Sequence, residues 1–244
     1  MTPRVTYATA ARVLTQLRRD PRTIALLLAV PAVLVTILHG VLDDSGAFDR
    51  VGAPLVGLFP FITMFLVTSI TMLRERTTGT LERLMTMPMA KFDLLAGYGL
   101  AFALIATVQA LITSVVAFGL LGLDVAGPEA LVVLLAILNA VLGMALGLLV
   151  SAFAATEFQA VQFMPAFVLP QLLLCGLFVP RDAMAPVLEA ASWALPLTYA
   201  YDALDRVATD GSLGGDGGID VIVVVGATIL SLALGAATLK RRTP

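Results

Sequence analysis

Six long apolar runs separated by short polar stretches organise this chain, at residues 23–42, 53–73, 94–123, 130–153, 162–179 and 219–239. A helix rising ~1.5 Å per residue needs roughly 20 mostly apolar residues to cross the hydrocarbon of a bilayer, and every run approaches or exceeds that length. Inside lipid each backbone N–H and C=O must find its partner within its own segment, so the runs are predicted to be helices and not strands. The third run is long enough to tilt or to project beyond the hydrocarbon. Ahead of the first, residues 5–19 carry Ala8, Ala11, Leu14 and Leu17 at a spacing of three, with Arg12, Gln16 and Arg19 on the remaining surface. That pattern predicts an amphipathic helix lying in the membrane plane. Asp20 followed by Pro21 then reads as an N-cap with proline in the first turn, restarting the chain as the first span. Residues 181–197 are too short and too polar to cross, and predict an outer hairpin dipping into the membrane with Trp193 as an interfacial anchor. The whole is an all-α integral membrane pattern, one transmembrane domain over 1–244 with six spans.

Composition agrees with the pattern. Hydrophobic residues make up 59% of the 244 and charged residues 13%, where a soluble domain would hold ~45–50% and ~25%. The first run begins some twenty residues in and no small-residue cleavage pattern follows it, so it reads as a retained helix and not as a signal peptide. The net charge of -2 conceals a strong asymmetry. Of 15 basic residues, 12 fall before the first run, in the loop 74–91 or after the last run; only Arg50, Arg181 and Arg206 lie in the other loops. Basic residues in short flanking loops are retained on the cytoplasmic side, so both termini and the loop 74–91 are expected there, in a plasma-membrane protein. Twelve of the 17 acids lie opposite.

Several chemistries are disfavoured by what the chain lacks. Cys175 is alone, so neither a disulfide framework nor a cysteine metal cluster is expected within one chain. His39 has only Asp43 and Asp44 as candidate co-ligands, too few for a metal centre. No phosphate-binding loop occurs, and the glycine-rich stretch 211–218 has no lysine. The spans hold no central charge, although buried ionisable groups mark proton and ion relays. They hold instead Gln109, Asn139, Gln162 and Gln171, together with Gly143 and Gly147 at a spacing that permits close helix contact, within the chain or between two copies.

The most informative segment is the polar loop between the second and third runs. It begins Arg74-Glu75-Arg76 and continues Thr78-Gly79-Thr80-Leu81-Glu82-Arg83-Leu84-Met85, with Met87 and Pro88 after it. From Thr80 a short helix is predicted, with Leu81, Leu84 and Met85 on one side and Glu82 and Arg83 on another, stopped by Pro88. Leu81, Met85 and Met87 suit an imperfect groove on a partner, while Glu75, Arg76, Glu82 and Arg83 pair at its rim.

These residues resemble a known family, the membrane subunits of type 2 ABC exporters. The resemblance rests on Arg74-Glu75-Arg76, on Thr78 to Leu84 and on Pro88. It rests independently on Pro170-Gln171, Cys175 to Pro180, Met184, Pro186 and Leu195 to Leu204. It implies a permease without an ATP site or cofactor of its own, working as a homodimer or with a related permease. Two separate ATP-binding subunits would hold the MgATP. Arg74, Glu75, Arg76, Thr80 to Met85 and Met87 would form the coupling element, with Arg12, Gln16 and Arg19 on a connecting helix. In the family the path runs mainly along the second and fifth helices, here offering Phe61, Phe65, Thr68 and Met72 with Phe163, Phe167 and Gln171. The implied cargo is an amphipathic drug or antibiotic; the alternatives are a lipid or lipid-linked glycan, or a non-transporting membrane anchor or sensor for an ATPase.

Overall fold

The computed structural model describes residues 3–42, 47–80, 84 and 91–238. Among them every regular element is a helix. Helix α1 is Pro3–Arg18, α2 Pro21–Leu42, α3 Ala47–Thr77, α4 Lys91–Ser114 running on as a π-helix over Val115–Leu120, and α5 Glu129–Val150. After α5 come α6 Glu157–Phe163, a π-helix Met164–Val168, α7 Leu169–Leu174, a 3-10 turn Arg181–Ala183, α8 Pro186–Ser192, α9 Pro196–Asp210 and α10 Gly214–Ala237. Five of these helices, α2, α3, α4 with its extension, α5 and α10, are long and apolar enough to cross a membrane.

The fifth apolar run differs from the unbroken helix expected at 162–179. It is helical from Glu157 to Leu174 but in three pieces, and the chain bends after Leu174. Pro165 and Pro170 supply the reason: each lacks the N–H for an i→i−4 bond and crowds the carbonyl behind it, so the backbone widens into a π-turn and resumes.

A second difference is α9. The apolar pattern assigns no element between the hairpin and 219, yet Pro196–Asp210 is an amphipathic helix that buries Leu197, Ala200, Ala203, Leu204 and Val207. Its charged face keeps it out of any search for apolar spans. The signals that define it are local: Pro196 in the first turn, apolar positions three and four apart, and Gly211 beyond the end at φ 77°, the left-handed conformation that closes helices. The last span starts at Gly214, ahead of the expected 219.

The tightest packing joins α3 and α5. A Cβ on Gly143 would stand 2.9 Å from both the carbonyl carbon and Cα of Phe61, and one on Gly147 would strike the Phe65 carbonyl. Thr68 Oγ1 donates within α3 to the Met64 carbonyl at 2.7 Å and lies 3.2 Å from the Met144 carbonyl of α5. The glycine pair therefore serves a seam inside the chain. One amide joins three helices: Gln109 Nε2 of α4, fully buried, donates to the Leu27 carbonyl of α2 at 2.5 Å and to Thr63 Oγ1 of α3 at 2.7 Å.

Helix α1 packs lengthwise on the first half of α4. Thr6 donates to the Asp93 carbonyl, Thr9 lies against Gly97, and Arg12 bonds Tyr98, so residues close to 87 apart in sequence meet along the whole contact. Its buried face is Thr9, Ala10 and Val13, while Ala8 and Ala11 are exposed. Of the three-residue stripe read from the sequence, Leu14 and Leu17 are half-buried against the core, while Ala8 and Ala11 give way to Thr9 and Ala10, because the partner helix and not bulk lipid selects the contact face.

Candidate functional site

Ion pairs gather at the two ends of the bundle, as the sorting of charges by loop anticipates. At the loop end the last turn of α3 presents Arg74, Glu75 and Arg76. Arg74 forks onto Glu157 at the start of α6, with Nε 2.7 Å from Oε1 and Nη2 3.0 Å from Oε2. Both side chains are more than half exposed, so the pair contributes little stability and mainly sets where α6 begins. Arg12 of α1 reaches inward: Nη2 lies 3.6 Å from Glu75 Oε2 and donates to the Tyr98 hydroxyl, and its guanidinium stands 5.5 Å from the centre of the Tyr98 ring. Glu75 is only 12% exposed at its side chain. The cluster ties α1, α3 and α4 together at the point where the chain leaves α3 for the loop.

Beyond it Gly79 adopts φ 74°, a conformation open mainly to glycine, and turns the chain. Thr80 and Leu84 are helical, and Leu84 is half-buried against the main core. Leu81, Glu82, Arg83, Met85 and Met87 lie outside the described residues, as do Asp43 and Asp44. On the exposed face of α1, Arg12, Gln16 and Arg19 line one recess with Ala8, Ala11 and Thr15, about 390 Å³ in volume. The three connecting-helix residues singled out in the sequence are therefore neighbours on a single surface.

The residues expected along a path separate into two groups. Phe61, Phe65, Thr68 and Met72 are wholly buried within the chain, the first three on the face of α3 that meets α5. Phe167 is 49% exposed on the segmented run, its ring edge-on to Phe163 at 5.7 Å, and Gln171 Nε2 donates to the Phe167 carbonyl at 3.0 Å. Phe61, Phe65 and Phe163 share one apolar cluster with Val168, so the second and fifth runs pack together. An open cleft lies one helix face away. It is about 320 Å³, almost wholly apolar, and lined by Leu38 of α2, Val51, Leu55, Leu58, Phe59 and Ile62 of α3, and Leu172, Leu177 and Phe178. Nothing in the apolar pattern of the second run tells which face of α3 meets α5 and which faces the cleft.

At the opposite end Arg181 Nη2 lies 2.6 Å from Asp202 Oδ2 of α9, and the Arg181 guanidinium stacks 4.4 Å from the centre of the Trp193 ring. Arg206 reaches Asp220 at 3.4 Å and Asp216 at 3.8 Å on α10. These pairs fasten the 3-10 turn and α8 to α9, and α9 to the last span. Burial pushes the Asp202 carboxyl up to about 6, against the pull of Arg181. Trp193 is held by Arg181 and by Tyr199, whose hydroxyl donates to the Trp193 carbonyl at 2.8 Å.

Residues 4–207 match the ABC-2 type transporter family, a stretch running from α1 through the cleft to α9. The chain belongs to that family. This ABC-2 chain is similar to the Escherichia coli K12 protein named probable multidrug ABC transporter permease YbhR, 27% identical over 153 residues, 63% of the chain and 42% of the relative. It is similar also to the linearmycin resistance permease protein LnrN of Bacillus subtilis strain 168, 28% identical over 186 residues, 75% of the chain and 48% of the relative. ABC transporter G family member 20 of Dictyostelium discoideum is 26% identical over 168 residues, 69% of the chain and 23% of the relative. The chain thus spans about half the length, or less, of the curated relatives it matches.

Proposed function

We propose that this chain is the membrane permease subunit of an ATP-driven exporter that moves an amphipathic antibiotic or drug out of the cytoplasm or the inner leaflet. The observation that carries the reading is the apolar cleft between α3 and the segmented run, on an ABC-2 chain whose relatives are named for multidrug and linearmycin resistance. An apolar cleft selects by shape and area and requires no fixed ion pair. The segmented run completes six crossings, with both termini and the loop 74–91 cytoplasmic in the plasma membrane, following the distribution of basic residues.

Two separate ATP-binding subunits hydrolyse MgATP and press on the loop from Arg74 to Met87 and on the recess of Arg12, Gln16 and Arg19. A second permease copy, identical or related, completes the pathway. Force enters at α1 and the last turn of α3, which the Arg12–Glu75–Tyr98 cluster makes one unit, and α3 carries it to the cleft as a shift between two bundle arrangements. Residues Phe61, Phe65, Thr68 and Met72 become a lining only in an arrangement where α3 and α5 part.

The test is reconstitution in lipid with the ATP-binding subunit. ATP turnover rises when drug is added, and Leu81→Ala or Glu82→Ala separates turnover from export. Undiminished export by both variants would remove the coupling role from the loop, and turnover indifferent to every amphipathic drug tried would remove the exporter assignment.

A further inference from the structure

We infer that the chain carries a built site for one anionic phospholipid where α1, α2 and α4 meet, separate from the cleft assigned to cargo. The inference rests on the membrane orientation given above but not on export. Leu14 and Leu17 from the last turns of α1, Leu27 and Leu28 from α2, and Ile105 and Val108 from α4 line an apolar groove of about 170 Å³.

Its depth is fixed by a hydrogen bond. Gln109 donates to the Leu27 carbonyl, so the α4 wall at residues 105–108 and the α2 wall at 27–28 lie at one level. Arg22 stands five residues before Leu27, roughly 7.5 Å along the helix axis at 1.5 Å per residue. The junction of Arg18, Arg19, Asp20 and Arg22 therefore sits where the apolar part of α2 begins, and the groove lies one to two turns beneath it. That is the spacing between a phosphate and the first part of an acyl chain.

Charge at the mouth selects the headgroup. Arg18, Arg19 and Arg22 are all on the surface of the junction, and a single acid, Asp20, stands among them. Its carboxylate is engaged in capping α2, accepting from the Thr23 N–H at 3.2 Å and the Thr23 hydroxyl at 2.6 Å. The junction keeps net positive charge beside an apolar slot, the combination that an anionic lipid headgroup with its chain satisfies and a neutral apolar molecule does not. Arg19 also lines the recess on the other face of α1, which leaves Arg18 and Arg22 as the headgroup contacts.

The experiment is native mass spectrometry of the full chain, purified in detergent and offered phosphatidylglycerol or phosphatidylcholine, with salt as a second variable. Wild type is expected to retain one phosphatidylglycerol, with phosphatidylcholine held far less, and to lose the preference at high salt. Arg18→Gln with Arg22→Gln should lower retention of phosphatidylglycerol about fivefold per arginine, and Val108→Trp, at a position 41% exposed, should lower retention by filling the groove. Fold is checked by the unreactive thiol of buried Cys175. Equal retention of the two lipids, or a preference untouched by either variant, overturns the site. Loss with the arginine variant alone places the lipid on the surface and overturns the groove. Because no partner, nucleotide or transport enters the measurement, its failure is distinguishable from failure of the exporter reading.

Discussion

Replacing Gly143 by alanine tests the α3–α5 seam most directly. An added Cβ would strike the Phe61 carbonyl oxygen and sit 2.9 Å from two further backbone atoms of Phe61, where ordinary van der Waals contact begins near 3.4 Å. Relief therefore requires more than about 0.5 Å of separation, most of all at the oxygen, and it must come from backbone, because no flexible side chain is available to yield. Phe61 is fully buried in the seam and Thr68 Oγ1 lies 3.2 Å from the Met144 carbonyl across it, so opening the helices weakens both. Overpacking of this kind costs about 1–3 kcal/mol. At about 2–4 °C per kcal/mol for a chain of this size, Gly143→Ala should lower the melting midpoint by roughly 2 to 12 °C. The assay uses the single cysteine: Cys175 is fully buried, so a fluorogenic maleimide reports unfolding in detergent. Gly226→Ala is the control, since nothing lies within 4 Å of its added Cβ and alanine is the better helix former. A Gly143→Ala midpoint equal to that of the control would refute the seam. A change in oligomeric state with no change in midpoint would move the glycine pair to a contact between copies.

Gln109→Leu removes the one amide that joins α2, α3 and α4. Polar contacts between membrane helices average about 0.6 kcal/mol and reach about 1.7, so a fall of a few degrees in the same assay is expected, and an unchanged midpoint would deny the bridge a structural role. For Asp202 the sign follows from a folded-state value near 6, above its ordinary 3.8: the folded chain binds the proton more tightly, so this group's stabilising contribution is complete below pH 4 and is lost as pH rises through 6. Circular dichroism melts of wild type against Asp202→Asn should therefore show a wild-type gain between pH 7 and pH 4.5 that the variant lacks, and a variant with the same slope would reject the assignment.

The sequence alone determined that the chain is helical and membranous, because lipid leaves no other way to pair the backbone and because six apolar runs of this length exceed what a soluble core of 244 residues could hide. The same information separates the charges into two faces, which the ion pairs at Arg74–Glu157 and Arg181–Asp202 respect. Pairwise facing decided the rest. An apolar run is apolar all round, so nothing in its pattern tells lipid from protein. Only the assembled bundle directs Gly143 and Gly147 to α3, turns Phe61 and Phe65 away from the open cleft and selects Thr9, Ala10 and Val13 as the contact face of α1. Helix α9 was hidden for the converse reason: its acids and arginine mask a buried face that exists only once Asp202 meets Arg181 and Arg206 meets Asp220. Periodicity measures whether a helix has a dry side, and what lies against that side is fixed by neighbours far away in the chain.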